Sequence, residues 1–241
     1  MSLHGIRITW LGHATLLITT PDDKRILVDP WLAGNPSCPA EYHGVSPDAI
    51  LITHGHFDHI GDVFAVAPRC TGPIVGIFDL TSWLGRKGVD ESKLVGMNKG
   101  GTVALAGLGV RVTMTNAHHS SSYADQDGTP IYLGEPAGFV LRFDNGASLY
   151  IAGDTCLFGD MALIKELWAP QTAVLPIGDH FTMDPLQAAH AARLLGVATV
   201  IPYHYATFGL LTGTPDQLKE ELVRLNVKAE VLSGPPGTTF A

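Results

Sequence analysis

An apolar run, Ala49-Ile-Leu-Ile-Thr53, breaks without a spacer into His54-Gly-His-Phe-Asp-His59. The run carries the aliphatic and β-branched residues of a buried strand. A strand of this kind belongs inside a sheet, and its exit delivers three imidazoles and a carboxylate to one short segment. Those side chains are the ones that hold zinc, manganese or iron. With 11 His and 16 Asp among 241 residues, chance would give H-x-H-x-D-H on the order of once in 10³ such chains, which disfavours an accidental polar turn. The segment predicts metal-dependent hydrolysis at the tip of a buried strand.

Further strand-like segments are 6–11, 15–19, 25–28, 50–53, 74–78, 110–115, 138–143, 148–152, 173–177 and 199–201, each apolar or β-branched and bounded by Gly, Pro, Asp or Asn. Asn145-Gly146 marks a hairpin, because both residues accept the positive φ angles of a type I′ turn. Helices are expected over 160–168, 185–195 and 215–225. Asp184 caps the second, with Pro185 at its first position, and Thr214 precedes Pro215 in the third. Meanders come early and strand–helix alternations late, with no linker between them. One α/β domain spanning 1–241 is expected, built from two β-sheets packed face to face with helices outside.

Composition narrows the partners. Charged residues make up 16% and apolar residues 46%, with 27 Gly and 16 Pro, which suits a sizeable core and many tight turns. The net charge of −8 argues against nucleic acid as partner. Cys38, Cys70 and Cys156 are odd in number and lack C-x-x-C spacing, so reduced thiols in a cytoplasm are expected. No apolar leader and no stretch of roughly 20 apolar residues is seen, so no membrane partner is expected.

Other chemistry-bearing residues also sit where strand-like segments end: Asp29 after 26–28, His118 and His119 after 110–116, Asp154 after Gly153, and His204 after Tyr203. Together with the first motif, this series (H-x-H-x-D-H, a later His, Gly-Asp, a last His) resembles the metallo-β-lactamase superfamily at every station. Trp10-Leu-Gly-His-Ala-Thr15, Ala117-His-His-Ser-Ser121, Pro176-Ile-Gly-Asp-His-Phe-Thr-Met183 and Ile201-Pro-Tyr-His-Tyr205 look like its compact metal-dependent hydrolases related to L-ascorbate-6-phosphate lactonase. The Trp-Leu-Gly-His-Ala-Thr opening is also similar to the N-acylphosphatidylethanolamine phospholipase D branch, whose long N-terminal extension is missing here.

The resemblance implies an αββα sandwich with the site at the edge where the sheets meet. It implies that His54, His56 and His119 hold one divalent metal, that Asp58, His59 and His204 hold a second, and that Asp154 bridges them. Zinc suits these ligands, and manganese, iron or nickel would fit the same atoms. Two such ions about 3.5–4 Å apart lower the pKa of a shared water to about 7, which makes hydroxide available at neutral pH. Asp58 is the expected hydrogen-bond acceptor for it. His119 is favoured over His118 by the family register.

His13, His180 and Asp29 follow strands that end near the metals. Each could contact substrate or support a ligand, and a structural role is as reasonable for each. His180 is the leading general acid, and His13, His180 and Phe181 the expected substrate contacts. His4, His43 and His190 read as bystanders, Cys156 as a small buried residue, and Phe139, Tyr150 and Trp168 as core. The polar segment 120–136 reads as a wall or lid over the substrate. The expected reaction is hydrolysis of a small ester, lactone or phosphoester, and the charge of the cations leaves an anionic small-molecule substrate open. A phosphodiesterase or nuclease on the same fold, and a metal-binding protein without turnover, are the alternatives. A di-iron oxidoreductase is disfavoured, since it would need an acid where this chain has His56. Relatives in the superfamily often self-associate, which leaves a homo-oligomer open.

Overall fold

The computed structural model describes residues 3–125 and 127–241. The chain begins with strands β1 (Arg7–Trp10), β2 (Leu16–Thr19), β3 (Arg25–Val28) and β4 (Ala49–Leu51), then two single-turn helices, α1 (Phe57–Ile60) and α2 (Val63–Val66). Strand β5 (Ile74–Ile77), helix α3 (Phe78–Arg86) and strands β6 (Leu94–Met97), β7 (Thr102–Leu105), β8 (Val110–Asn116), β9 (Ser122–Ala124) and β10 (Pro130–Tyr132) follow. The remainder is β11 (Ala137–Phe143), β12 (Ser148–Ile151), α4 (Met161–Trp168), β13 (Thr172–Pro176), α5 (Pro185–Leu195), β14 (Thr199–Tyr203), α6 (Pro215–Arg224), β15 (Glu230–Val231) and β16 (Thr239–Phe240).

Two seven-stranded mixed sheets result, ordered β16-β1-β2-β3-β4-β5-β6 and β15-β14-β13-β12-β11-β8-β7. Each is antiparallel where hairpins join its strands and parallel where helices intervene, from β3 to β6 and from β12 to β15. Residue alternation explains the layering. In β12, Leu149 and Ile151 face the core between the sheets, whereas Tyr150, and Ala152 just past the strand, face helices α4–α6. In β13, Val174 points inward, and Ala173 and Leu175 point to the helices. Leu80 and Leu84 of α3 cover the first sheet. This is the expected αββα arrangement.

Local signals held where they were strongest. Asp184 accepts a hydrogen bond from Gln187 N at 2.7 Å as the α5 cap, and Thr214 with Gln217 forms a capping box on α6. Phe139 and Tyr150 are fully buried and Trp168 partly so. Four elements depart from expectation. Phe78 begins α3 instead of ending a strand, and no side-chain cap announces that helix. Strands β6 and β7 are half-exposed sheet edges without clear alternation. The expected wall over 120–136 is largely the β9–β10 hairpin, whose Tyr123 packs on Trp83 of α3 at 5.4 Å. Only its root, Ser120, borders the cavity described below; Gln126, within this segment, lies outside the described residues. No helix among the described residues is long and apolar enough to cross a membrane.

Candidate metal centre

The C-terminal ends of β3, β4, β8, β12 and β14 meet at one edge of the sandwich, the usual place for a site in sheets with parallel strands. Two backbone hydrogen bonds tie the sheets together there, Ala137 N to Thr53 O (3.0 Å) and His204 N to His13 O (2.9 Å). Past β4 the chain carries Thr53 and His54 straight to the tip. It then coils into α1 immediately after His56, which folds Asp58 and His59 back towards the same point. His13, Asp29 and His204 all adopt left-handed φ angles of 50°, 50° and 54°, so the backbone turns away sharply while each side chain stays in the site. Such residues are uncommon outside glycine and cluster at functional sites. Gly153 (φ 66°) gives Asp154 its approach: a Cβ there would lie 2.5 Å from Ala137 O.

Asp154 is the hub. Its Oδ2 lies 3.0 Å from His204 Nε2, 3.3 Å from His59 Nε2, 3.6 Å from His119 Nε2 and 4.0 Å from His54 Nε2. Three overlapping groups each keep their donor atoms within 4.8 Å of one another: His54, His56 and His119; His54, His59 and Asp154; and His13, Asp58, His59 and His204. Among the described residues, Asp154 Oδ1, His59 Nε2 and both ring nitrogens of His204 are buried without a hydrogen-bond partner. Polar atoms buried in this way are costly unless something else satisfies them.

Behind the donors lies a supporting layer. Asp29 accepts hydrogen bonds from Thr53 N (2.8 Å) and Thr53 Oγ1 (2.7 Å), and from His59 Nδ1 (2.8 Å). The Thr53 hydroxyl in turn accepts from His54 Nδ1 at 3.0 Å. One buried carboxylate thereby sets the ring orientation and tautomer of two imidazoles, leaving both Nε2 atoms aimed inward. His13 Nε2 donates to Asp58 Oδ2 at 2.9 Å, and Ser120 Oγ lies 3.2 Å from His56 Nε2.

The electrostatics match a metal-binding donor set. Burial pushes His54, His56 and His119 below the usual imidazole range, so they are neutral with free lone pairs. Asp154 stays ionised against its burial because His204 and His59 surround it, and Asp58 does so chiefly through the His13 hydrogen bond. For His59 burial works in the opposite direction, but the carboxylates of Asp154 and Asp29 win and raise it. Three neutral imidazoles, two ionised carboxylates and inward-facing atoms with no protein partner fit divalent cations, whose binding would displace the proton that Asp154 and Asp29 hold on His59.

Above the donors opens a cavity of about 820 Å³. Its floor is His56, Asp58, His119, Asp154 and His204; its walls are Phe57, Ser120, Phe181, Phe208, Gly209 and Leu210. All seven residues expected as ligands thus converge, and His119 rather than His118 turns inward. His118 is exposed, its Nε2 accepting from the Asn116 amide at 3.0 Å. Phe181 lines the cavity. His13 does not: it is fully buried beneath Asp58 and so supports that carboxylate instead of meeting substrate. His180 lies outside the lining, exposed, with its ring packed edge-on against Phe181 at 4.5 Å. Cys156 is exposed rather than buried, although its neighbour Thr155 is fully buried. His4, His43 and His190 stand apart from the cluster. No periodic pattern marks Phe208 and Leu210 as cavity walls, although Phe208-Gly-Leu-Leu211 is an apolar stretch that begins four residues after His204.

An αββα sandwich with a His/Asp cluster able to bind metal at its sheet edge defines a class, the metal-dependent hydrolases of the β-lactamase fold. The comparisons agree. Residues 24–205 match the family model described as the beta-lactamase superfamily domain. A UPF0173 metal-dependent hydrolase of Roseiflexus sp. (strain RS-1) is 50% identical, over 97% of this chain and 96% of that protein. Another, from Koribacter versatilis, is 48% identical over the full length of both chains. Among solved structures, Igni18, a metallo hydrolase from Ignicoccus hospitalis, shares 35% identity and covers 98% of each chain with a TM-score of 0.83. The chain belongs to the UPF0173 metal-dependent hydrolases of the metallo-β-lactamase superfamily.

Proposed function

We propose that the protein hydrolyses a small ester, lactone or phosphoester with two divalent cations, zinc being the best match to the donors. His54, His56 and His119 would hold one, Asp58, His59 and His204 the other, with Asp154 shared between them. The observation that carries this reading is the approach of four imidazole Nε2 atoms to a single carboxylate oxygen of Asp154, within 3.0 to 4.0 Å. When bound, such cations supply Lewis acidity and a water that ionises near neutral pH. The protein's own residues do the rest. Asp58 borders the cavity with its other oxygen fixed by His13, so it can accept a proton or hydrogen bond from the attacking water. Asp29 and Thr53 hold the rings of His59 and His54 in position.

A small molecule is the partner that the closed-in floor suits. Three free cysteines support a cytoplasmic setting, where thiols stay reduced. A phosphodiesterase or nuclease is the weaker reading: among the described residues no Lys or Arg lines the cavity, and the chain carries a net charge of −8. Elemental analysis with a turnover panel of aryl esters, lactones and aryl phosphoesters tests the proposal. Asp154→Asn should lose at least one metal equivalent and cut kcat by orders of magnitude. Full metal occupancy with near-normal turnover in that variant would refute the shared role of Asp154. Two bound metals with no turnover across the panel would favour a protein that binds metal without catalysis.

A further inference from the structure

The walls of the cavity are chemically unlike its floor. Phe57, Phe181 and Leu210 are 58%, 48% and 54% exposed, yet all three border one opening, together with Phe208. Scattered apolar side chains on a surface need no explanation, whereas a contiguous ring of them around a polar centre marks a binding surface. This ring is also held from behind. The buried Trp31 indole sits edge-on to Phe57 at 5.8 Å and against Phe208 at 6.0 Å, so two aromatic residues far apart in the chain share one rigid support. A wall fixed before ligand arrives loses little entropy on binding.

What the walls lack is equally informative. Recognition of a phosphate or carboxylate remote from the bond being cleaved calls for Arg or Lys. Among the described residues none lines this cavity. Lys99 is engaged elsewhere, with Asn116 Oδ1 at 2.7 Å and Glu135 at 3.9 Å. Ser120 is the single polar side chain of the walls.

We infer that the substrate is an uncharged ester or lactone with an aryl or medium-chain acyl group, which lies along the wall formed by Phe57 and Phe208 while its carbonyl faces Asp154 and His204. The inference rests on the hydrolase reading above and narrows it, excluding sugar phosphates. The reaction consumes one water: the acyl C–O bond breaks, the water oxygen bonds to the acyl carbon, and a water proton goes to the departing alkoxide.

Hydroxamates of increasing tail length, which chelate metal through one end, test this without requiring turnover. On the metal-loaded protein the Kd should fall at least tenfold from acetohydroxamate to hexanohydroxamate, since each methylene buried is worth up to about fourfold. The kcat/KM for p-nitrophenyl hexanoate should exceed that for the acetate by a similar factor. Phe208→Ala should shrink the gain several-fold and Phe208→Leu should retain most of it. A flat series on protein that holds metal and binds acetohydroxamate overturns the substrate class alone. So does glucose 6-phosphate competing more tightly than hexanohydroxamate. Failure to bind metal overturns the hydrolase reading and this inference with it. A dimer in sedimentation that Phe181→Ser dissociates, with the chain-length gain unchanged, would show the ring to be a contact between copies and would also overturn it.

Discussion

Asp29→Asn keeps the shape of a buried side chain and removes only its charge and one acceptor, so it isolates the role of the layer behind the metal donors. With Oδ1 still accepting from Thr53 N, the new amide NH₂ takes the place of Oδ2, where it faces the Thr53 hydroxyl and His59 Nδ1, formerly 2.7 and 2.8 Å away. A donor now meets a donor. His59 can relieve this only by moving its proton to Nε2, the atom that points at Asp154. The reverse amide orientation sets NH₂ against Thr53 N–H and leaves two buried donors opposed. Either way a hydrogen bond to a charged acceptor is lost, worth about 1.5–3 kcal/mol. At 1.4 kcal/mol per factor of ten, metal affinity should fall about 10- to 100-fold. The Thr53 hydroxyl also orients His54 at 3.0 Å, so both groups of imidazoles should feel the change. Zinc titration in competition with a chromophoric chelator measures the effect, and urea unfolding of the metal-free protein separates it from lost stability. Affinity within threefold of the parent protein would refute the reasoning.

His119→Ala should weaken metal binding strongly, whereas His118→Ala should change it little; the opposite result in the same titration would place the wrong neighbour in the site. Gly153→Ala should destabilise the protein by more than about 2 kcal/mol in urea unfolding, because the residue combines φ 66° with a Cβ position 2.5 Å from Ala137 O; a loss under 0.5 kcal/mol would show that the strand tip relaxes freely. Burial holds His13 down at about 4, although its hydrogen bond to Asp58 pulls upwards. The unfolded chain therefore takes up this proton near pH 6.5 and the folded protein only near 4. Its contribution to stability is complete above about pH 6.5 and is lost as pH falls towards 4, by at most about 3 kcal/mol. The difference in unfolding free energy between the metal-free parent and His13→Gln should follow that curve; a difference independent of pH between 7 and 4.5 would contradict it.

Consecutive residues were enough to specify what depends on consecutive residues. The imidazole-rich exit from β4, the hairpin at Asn145-Gly146, the Asp184-Pro185 start of α5 and the Thr214-Pro215 start of α6 are local chemistry, legible because backbone caps and turns are satisfied within a few positions. The turn itself is not type I′: residues 144–146 form a three-residue loop in which only Gly146 takes a positive φ (86°). The spacing of His119, Asp154 and His204 at strand exits was legible for a similar reason, since a break after an apolar run is visible wherever it occurs. Other features depend on which loops the fold brings side by side. Asp29 read equally as a turn residue or as support for a ligand until β3 was set parallel to β4, which put its carboxylate against Thr53 and His59. His13 could not be separated from a substrate contact until Asp58 lay over it. Edge strands β6 and β7 carry too little alternation to announce themselves, and α3 starts without a cap. The apolar ring draws Phe57 from helix α1 and Phe181, Phe208 and Leu210 from two separate loops onto one opening. The candidate donor residues were thus written in the chain, while the supporting layer and the cavity walls were decided by tertiary packing, because contacts between distant segments leave no periodic trace in either one.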